Sequence, residues 1–118
     1  MNWYIAKIIF RIASEGAQKP QFDEHMRLVA ADSFEEAFLK ARIIGISEED
    51  AFLNHRNKMV KWEFINVAEL HPVNELKDGT ELYSSIHEVE EEADYVEQIH
   101  QRAVLMQTVQ QSAFDCKV

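Results

Sequence analysis

Two stretches of the chain alternate apolar and polar residues with a period of two, and each carries a tryptophan. In residues 3–13 the even positions, Tyr4, Ala6, Ile8, Phe10 and Ile12, are all apolar, while the odd positions, Trp3, Ile5, Lys7, Ile9 and Arg11, are mixed. The pattern predicts a strand whose even face points at the main core and whose odd face is only partly covered. In the second stretch Val60, Trp62, Phe64, Ala68 and Leu70 share a face that Asn66 interrupts, and Pro72 ends the run. Both segments are expected to line one interior. Phe22 to Ala31 alternates as well, with Phe22, Met26, Leu28 and Ala30 on one side, broken by Glu24, and Asp23, His25 and Arg27 on the other. It reads as a half-buried strand in a hairpin with the first, across a loop from Ser14 to Gln21 that contains Gly16 and Pro20.

A helix separates these strand pairs. Asp32 and Ser33 are candidate N-caps, and Glu35 and Glu36 lie three positions beyond them, so a capping box works in either register. Phe34, Ala37, Phe38 and Ala41 follow helical spacing, Ile44 continues the stripe, and Gly45 stands where a left-handed residue closes a helix. The prediction is a helix over 33–44 with its two phenylalanines on the sheet. For residues 46–58, Ser47-Glu48-Glu49-Asp50 is compatible with a short helix. The turn-prone run Asn54-His55-Arg56-Asn57 favours instead a short strand at Ala51-Phe52-Leu53, in a hairpin with the Trp62 strand. After the turn signal Asp78-Gly79, Thr80 to Val89 is expected as a polar edge strand with Leu82 and Ile86 inward.

From Glu90 to Gln111 there is no Gly or Pro, and the start is acidic: Glu90, Glu91, Glu92 and Asp94. Val89, Val96, Ile99, Ala103, Met106 and Ala113 mark a near-heptad seam with Gln110 polar within it, and Tyr95, Leu105 and Val109 lie off it. A helix with apolar groups on more than one side has more to bury than one sheet face offers. Val96, Ile99, Ala103 and Met106 are therefore the expected interface for a homodimer or a protein partner. The fold class is α+β: an antiparallel sheet of four to five strands packed on the helix at 33–44, plus a long C-terminal helix at 90–111. The 118 residues read as one domain, with an α+β core at 3–89 and a helical extension at 90–118.

Composition adds little to this picture except in charge. The net charge is −9, and it is uneven: residues 1–62 hold nine Lys/Arg and nine Asp/Glu, residues 63–118 three and twelve. Nucleic acid and anionic membrane surfaces are poor partners for such a chain, since both require clustered cations. Trp3, Lys7 and Arg11 on one strand face resemble a base-stacking platform, but cross-strand pairing of Lys7 and Arg11 with carboxylates such as Asp23 or Glu63 is the better account. The lone cysteine, Cys116, cannot form an internal bridge, and the amino end lacks a cleavable leader or a membrane span, so a cytoplasmic protein is expected.

Candidate chemistry is sparse. The five histidines, His25, His55, His71, His87 and His100, form no close ligand pair with one another or with Cys116. Glu97-Gln98-Ile99-His100 matches one half of a di-iron helix motif, whose chemistry needs two such motifs and further carboxylates. The acids between Glu88 and Glu97 lack the spacing and turn glycine of a calcium loop. No nucleophile elbow or phosphate-cradling glycine loop is present. No metal, cofactor or catalytic residue is expected. Asn66, in an apolar face, is a satisfied core group or marks a pocket. If there is a ligand site, it is expected between sheet and helix, at Trp62, Phe38 and Asn66.

Three blocks occur in order along the chain: Trp3-Tyr4-x-Ala6-Lys7, then Trp62-x-Phe64-x-x-Val67-x-x-Leu70, then Asp78-Gly79-Thr80-Glu81-Leu82-Tyr83-Ser84. Together they resemble domain-of-unknown-function family 4288 over residues 3–88. The resemblance implies a small bacterial domain and brings no activity, cofactor or site residue with it. The expected function is that of a non-enzymatic interaction or oligomerisation module, with small-ligand binding as the alternative.

Overall fold

The computed structural model describes residues 1–116, with side chains described as far as Thr108. The elements are β1 (Asn2–Ser14), β2 (Gln21–Ala31), α1 (Phe34–Ser47), β3 (Asp50–Leu53), β4 (Met59–Val73) and α2 (Glu92–Cys116). The four strands form one antiparallel sheet in the order β2-β1-β4-β3. The chain divides into two compact units, Met1–Ser84 and Ser85–Val118, which are taken separately.

In the first unit β1 occupies the middle of the sheet, and its even face forms the core. Tyr4, Ala6, Ile8 and Phe10 are buried there with Val29, Ala31, Ala37 and Ala41. Ile8 and Phe10 are fully buried, which stabilises the fold by about 2–3 kcal/mol each. α1 begins at Ser33, whose hydroxyl accepts the Glu36 N–H at 3.1 Å, while Glu36 Oε2 accepts the Asp32 N–H at 3.0 Å. The capping box thus closes one residue further out than its simplest form.

The stripe that lies on the sheet is Ala37, Ala41 and Gly45 rather than the two phenylalanines. Phe34 is half-exposed and touches the Tyr4 ring edge-on at 6.3 Å, and Phe38 is half-buried. Gly45 does not close the helix in a left-handed conformation. It is buried inside α1, which runs on to Ser47, and a Cβ there would overlap the Phe64 ring and sit 3.1 Å from Ile8 Cγ2. Small side chains every fourth residue let the helix backbone approach the sheet closely.

β4 departs from simple alternation. Two register shifts against β1, between Lys7 and Ile8 and between Ile9 and Phe10, leave Ala68 and Ile65 without a partner. Each extra residue reverses the phase of the side chains. Trp62, Phe64, Val67 and Leu70 therefore pack on the core, while Asn66 pairs with Ile9 on the opposite, outer face. Ala68 is correspondingly exposed.

β3 and β4 form a hairpin whose turn is built by Asn54. Its side-chain oxygen accepts the N–H groups of Arg56 and Lys58 at 2.8 and 3.0 Å, and Asn57 takes the left-handed conformation (φ 61°) that asparagine tolerates.

Thr80 to Val89 forms no strand. Leu82, Ile86 and Val89 are the only aliphatic residues among these ten and bury too little to offset the ordering of an extra edge strand. The Asp78-Gly79 turn does form, with Gly79 at φ 85° and the Thr80 N–H donated to Lys77 O at 3.2 Å.

The second unit contains α2. Val96, Ile99 and Met106 on its seam are between 41% and 63% exposed. Ala103 is exposed too, as are Tyr95, Val104 and Leu105 beside the seam. The side chains of Val109, Gln110, Ala113 and Cys116 lie outside the described residues. No helix among the described residues is long and apolar enough to cross a membrane.

Candidate functional site

Two concavities in the first unit gather polar side chains, the first where the sequence pattern misassigns the faces of β2 and the second beside the expected strand at Thr80 to Val89 that does not form. The first is a cleft of about 200 Å³ past the C-terminal end of α1, lined by Asp23, His25, Glu48, Asp50, Phe52 and Trp62. The β1–β2 register sets Asp23, His25 and Arg27 opposite Phe10, Ile8 and Ala6, on the helix side of the sheet. The apolar partners Phe22, Met26 and Leu28 therefore face outward, the reverse of what a half-buried strand leads one to expect.

The polar side chains of the cleft are tied to one another. His25 Nε2 donates to Asp23 Oδ2 at 2.6 Å, and Arg27 Nη2 donates to His25 Nδ1 at 3.2 Å. Both bonds are satisfied together by the tautomer protonated on Nε2. Arg27 also reaches Glu48, the C-cap residue of α1, at 3.4 Å. The His25 ring lies tilted on Phe10 with centroids 4.9 Å apart. Both ring nitrogens are thus occupied, which leaves His25 no free site for proton transfer or ligation.

The second concavity is a groove of about 500 Å³ formed by residues 71–84, with His71, Asn74, Lys77, Thr80, Tyr83 and Ser84 among its walls. The Tyr83 ring meets the His71 ring at 5.1 Å. From there a polar chain crosses the outer face of the sheet. His71 Nε2 donates to Glu69 Oε1 at 3.0 Å, Lys7 Nζ reaches Glu69 Oε2 at 2.7 Å, and Glu24 lies 3.9 Å from the same ammonium. Its hydrogen bond to Glu69 holds Lys7 above the ordinary lysine value, and the same bond, with the one from His71, holds Glu69 below the usual carboxylate range. A lysine kept protonated in this way is the wrong state for a nucleophile. Thr80 Oγ1, by contrast, is buried without a hydrogen-bond partner, alone among the side-chain groups of the described residues.

The residues singled out from sequence separate. Trp62 is half-buried in the cleft, Phe38 is half-buried on α1, and Asn66 is exposed on the outer face, where its own side chain accepts the Val67 N–H at 2.8 Å. The two bulges carry Asn66 away, so a pocket shared by Trp62, Phe38 and Asn66 does not form. Arg11 pairs with Glu63 at 3.8 Å as the pattern suggested, but Lys7 takes Glu69 and Glu24 rather than Asp23. The Tyr83–His71–Glu69–Lys7 chain was missed. Its only trace in the sequence is the co-occurrence of Lys7 in the first block and Tyr83 in the third.

Along α2 an open trough of about 850 Å³ runs from Glu92 to Leu105, lined by Ala93, Val96, Val104 and Leu105 with Glu97 and His100. All its walls come from one helix, so it encloses nothing and marks apolar surface. Among the described residues no group of three or more His, Cys, Asp or Glu is placed to hold a metal ion.

These features define a small α+β domain with internally paired polar networks. The chain belongs to the domain of unknown function family DUF4288, whose model matches residues 3–84. The match ends where the first compact unit ends, and the family's description carries no activity. No curated protein and no solved structure matches the chain.

Proposed function

We propose that the chain is a non-enzymatic interaction protein that self-associates through α2. The observation that carries this reading is the run of exposed seam residues Val96, Ile99, Ala103 and Met106, spaced by three, four and three residues. A seam of that spacing is complementary to a copy of itself, because each side chain fits between residues of the facing helix. Charge supports a second copy and selects its direction. Glu92, Asp94 and Glu97 crowd the start of α2, whereas residues 103–114 carry no charged side chain. Parallel pairing would stack two acidic ends, and antiparallel pairing sets each beside the partner's uncharged half. The lone cysteine supports a reducing compartment such as the cytoplasm.

Sedimentation equilibrium of the full chain, against Ile99→Asp/Met106→Asp, tests the reading. The wild type is expected to self-associate with concentration, and the double variant to lose that step while keeping its thermal transition. A wild type that stays monomeric throughout, or a double variant of unchanged mass, would overturn it.

A second reading, small-ligand binding, is supported by the unpartnered Thr80 hydroxyl beside the 71–84 groove. A thermal-shift screen over metabolite classes tests it, since a ligand that binds only the folded state raises the midpoint. Flat midpoints throughout would remove this reading.

A further inference from the structure

We propose that β2 is a second self-association surface, at which two copies join their sheets edge to edge, antiparallel, about a two-fold axis through His25. The proposal rests on β2 alone and does not depend on α2.

β2 is an end strand that pairs with β1 on one side only. Alternate backbone N–H and C=O groups along its eleven residues therefore point away from the sheet. Among the described residues the one backbone group of β2 with a side-chain partner is Ala30 O, which accepts Lys40 Nζ at 2.7 Å. Next to this edge, Phe22, Met26 and Leu28 form an outward row between 43% and 56% exposed.

Proteins commonly block such an edge with charge. Here the charges select a register instead. With the axis at His25, Asp23 falls opposite the second copy's Arg27, and Arg27 opposite its Asp23. On the other face Phe22 meets Leu28, twice, and Glu24 lies beside Met26. Moving the axis by one residue is the smallest slip that keeps every side chain on its own face. An axis at Glu24 sets two glutamates opposite each other, and an axis at Met26 sets Arg27 against His25. Both lose the two Asp–Arg pairs. Of these three registers only the one centred on His25, which sets the two His25 side chains beside each other, keeps both Asp–Arg pairs, and that self-complementarity identifies the occupant as a second copy of this chain.

The test uses the full chain carrying Ile99→Asp/Met106→Asp, so that α2 no longer contributes. Sedimentation equilibrium should still give a dimer. Adding Asp23→Arg places like charges at two sites and should weaken that dimer by roughly tenfold or more. Adding Arg27→Asp as well should restore it. Because Asp23 and Arg27 also bond within one copy, thermal melts accompany each mass. Phe22→Lys/Leu28→Lys, at exposed positions, repeats the like-charge test without touching those bonds and should also dissociate the pair.

A monomer in the α2-disabled background overturns the proposal. So does a dimer indifferent to Asp23→Arg and to the lysine pair, or a charge swap that fails to restore association while melting normally. Capture of an extended peptide by a chain that never dimerises would likewise overturn it, assigning the edge to a foreign strand. Failure of the α2 reading shows separately, as a mass unchanged by Ile99→Asp/Met106→Asp.

Discussion

Replacing Gly45 with alanine sets two known effects against each other, and the structure decides which wins. Glycine inside a helix costs about 1 kcal/mol relative to alanine, so Gly45→Ala would stabilise a helix with free space beside it. The new Cβ, however, would overlap the Phe64 ring and lie 3.1 Å from Ile8 Cγ2. Both neighbours belong to the packed core. Ile8 is fully buried, and the Phe64 ring is backed by Phe10, also fully buried, at 6.3 Å. Overpacking of a well-filled core costs about 1–3 kcal/mol, and the size of the overlap puts this site in the upper half of that range. The net expectation is a loss of about 1–2 kcal/mol. With a urea slope of about 2 kcal/mol per molar, the midpoint falls by about 0.5–1 M at unchanged slope.

Two companion variants separate the close-packing account from a helix-closing glycine. Asparagine is tolerated in the left-handed closing position, whereas at a buried helical site it adds both bulk and an unpaired amide. Gly45→Asn should therefore be worse than Gly45→Ala. Phe64→Leu makes room, so Gly45→Ala on that background should be neutral or stabilising, a coupling that only direct contact produces. Urea unfolding followed by circular dichroism measures all of them. A Gly45→Ala chain as stable as the wild type, or additivity with Phe64→Leu, would refute the close approach of α1 to the sheet.

Trp62→Ala should cost about 3 kcal/mol in urea unfolding, the lower end for a large aromatic, because the indole is half-buried against the core cluster; a loss below about 1 kcal/mol would make it an open surface residue. Glu69 is held below its ordinary value of 4.5, so its ion pair contributes stability that is present above that value and is lost as pH falls through the lower folded value. The melting temperature of the wild type should then drop more steeply below pH 4.5 than that of Glu69→Gln, and parallel curves would contradict the pairing. Lys7, raised above 10.5, adds stability that is complete below that value and lost as pH rises through the higher folded value, and Glu69→Gln should flatten that limb too.

How far the fold could be read from sequence followed from how local each determinant is. The even face of β1 and the Ser33–Glu36 cap depend on residues within a few positions of each other, and both were legible. The helix end was not. Gly45 after an apolar stripe looks the same whether it turns the chain or admits the Phe64 ring, and only the ring's position distinguishes the two. The bulges at Ile65 and Ala68 were hidden for a related reason. Residues 64–68 are apolar or small except for Asn66, so either phase of alternation fits there, and pairing with β1 chooses between them. Asn66 was thereby assigned to the wrong face, and the site expected at Trp62, Phe38 and Asn66 fell apart with it. Thr80 to Val89 had alternation but too little to bury.

The inverted faces of β2 follow from a mismatch of lengths. α1 has 14 residues and spans about 21 Å at 1.5 Å per residue. β1 has 13 residues and spans about 43 Å. The helix therefore covers about half of the sheet, from Tyr4 beside Phe34 to Phe64 beside Gly45. Where α1 covers β2, the helix-side residues are apolar, Val29 and Ala31. Past Glu48 α1 offers an apolar row nothing to bury against. Asp23, His25 and Arg27 occupy those positions instead, and they satisfy one another while Phe10 supports the imidazole ring. Period two then forces Phe22, Met26 and Leu28 to the outer face. A strand whose apolar row lies away from its helix, at an open edge, gains by meeting the same row on another copy. The hydrogen-bonded charges on its other face fix the register in which the two can meet.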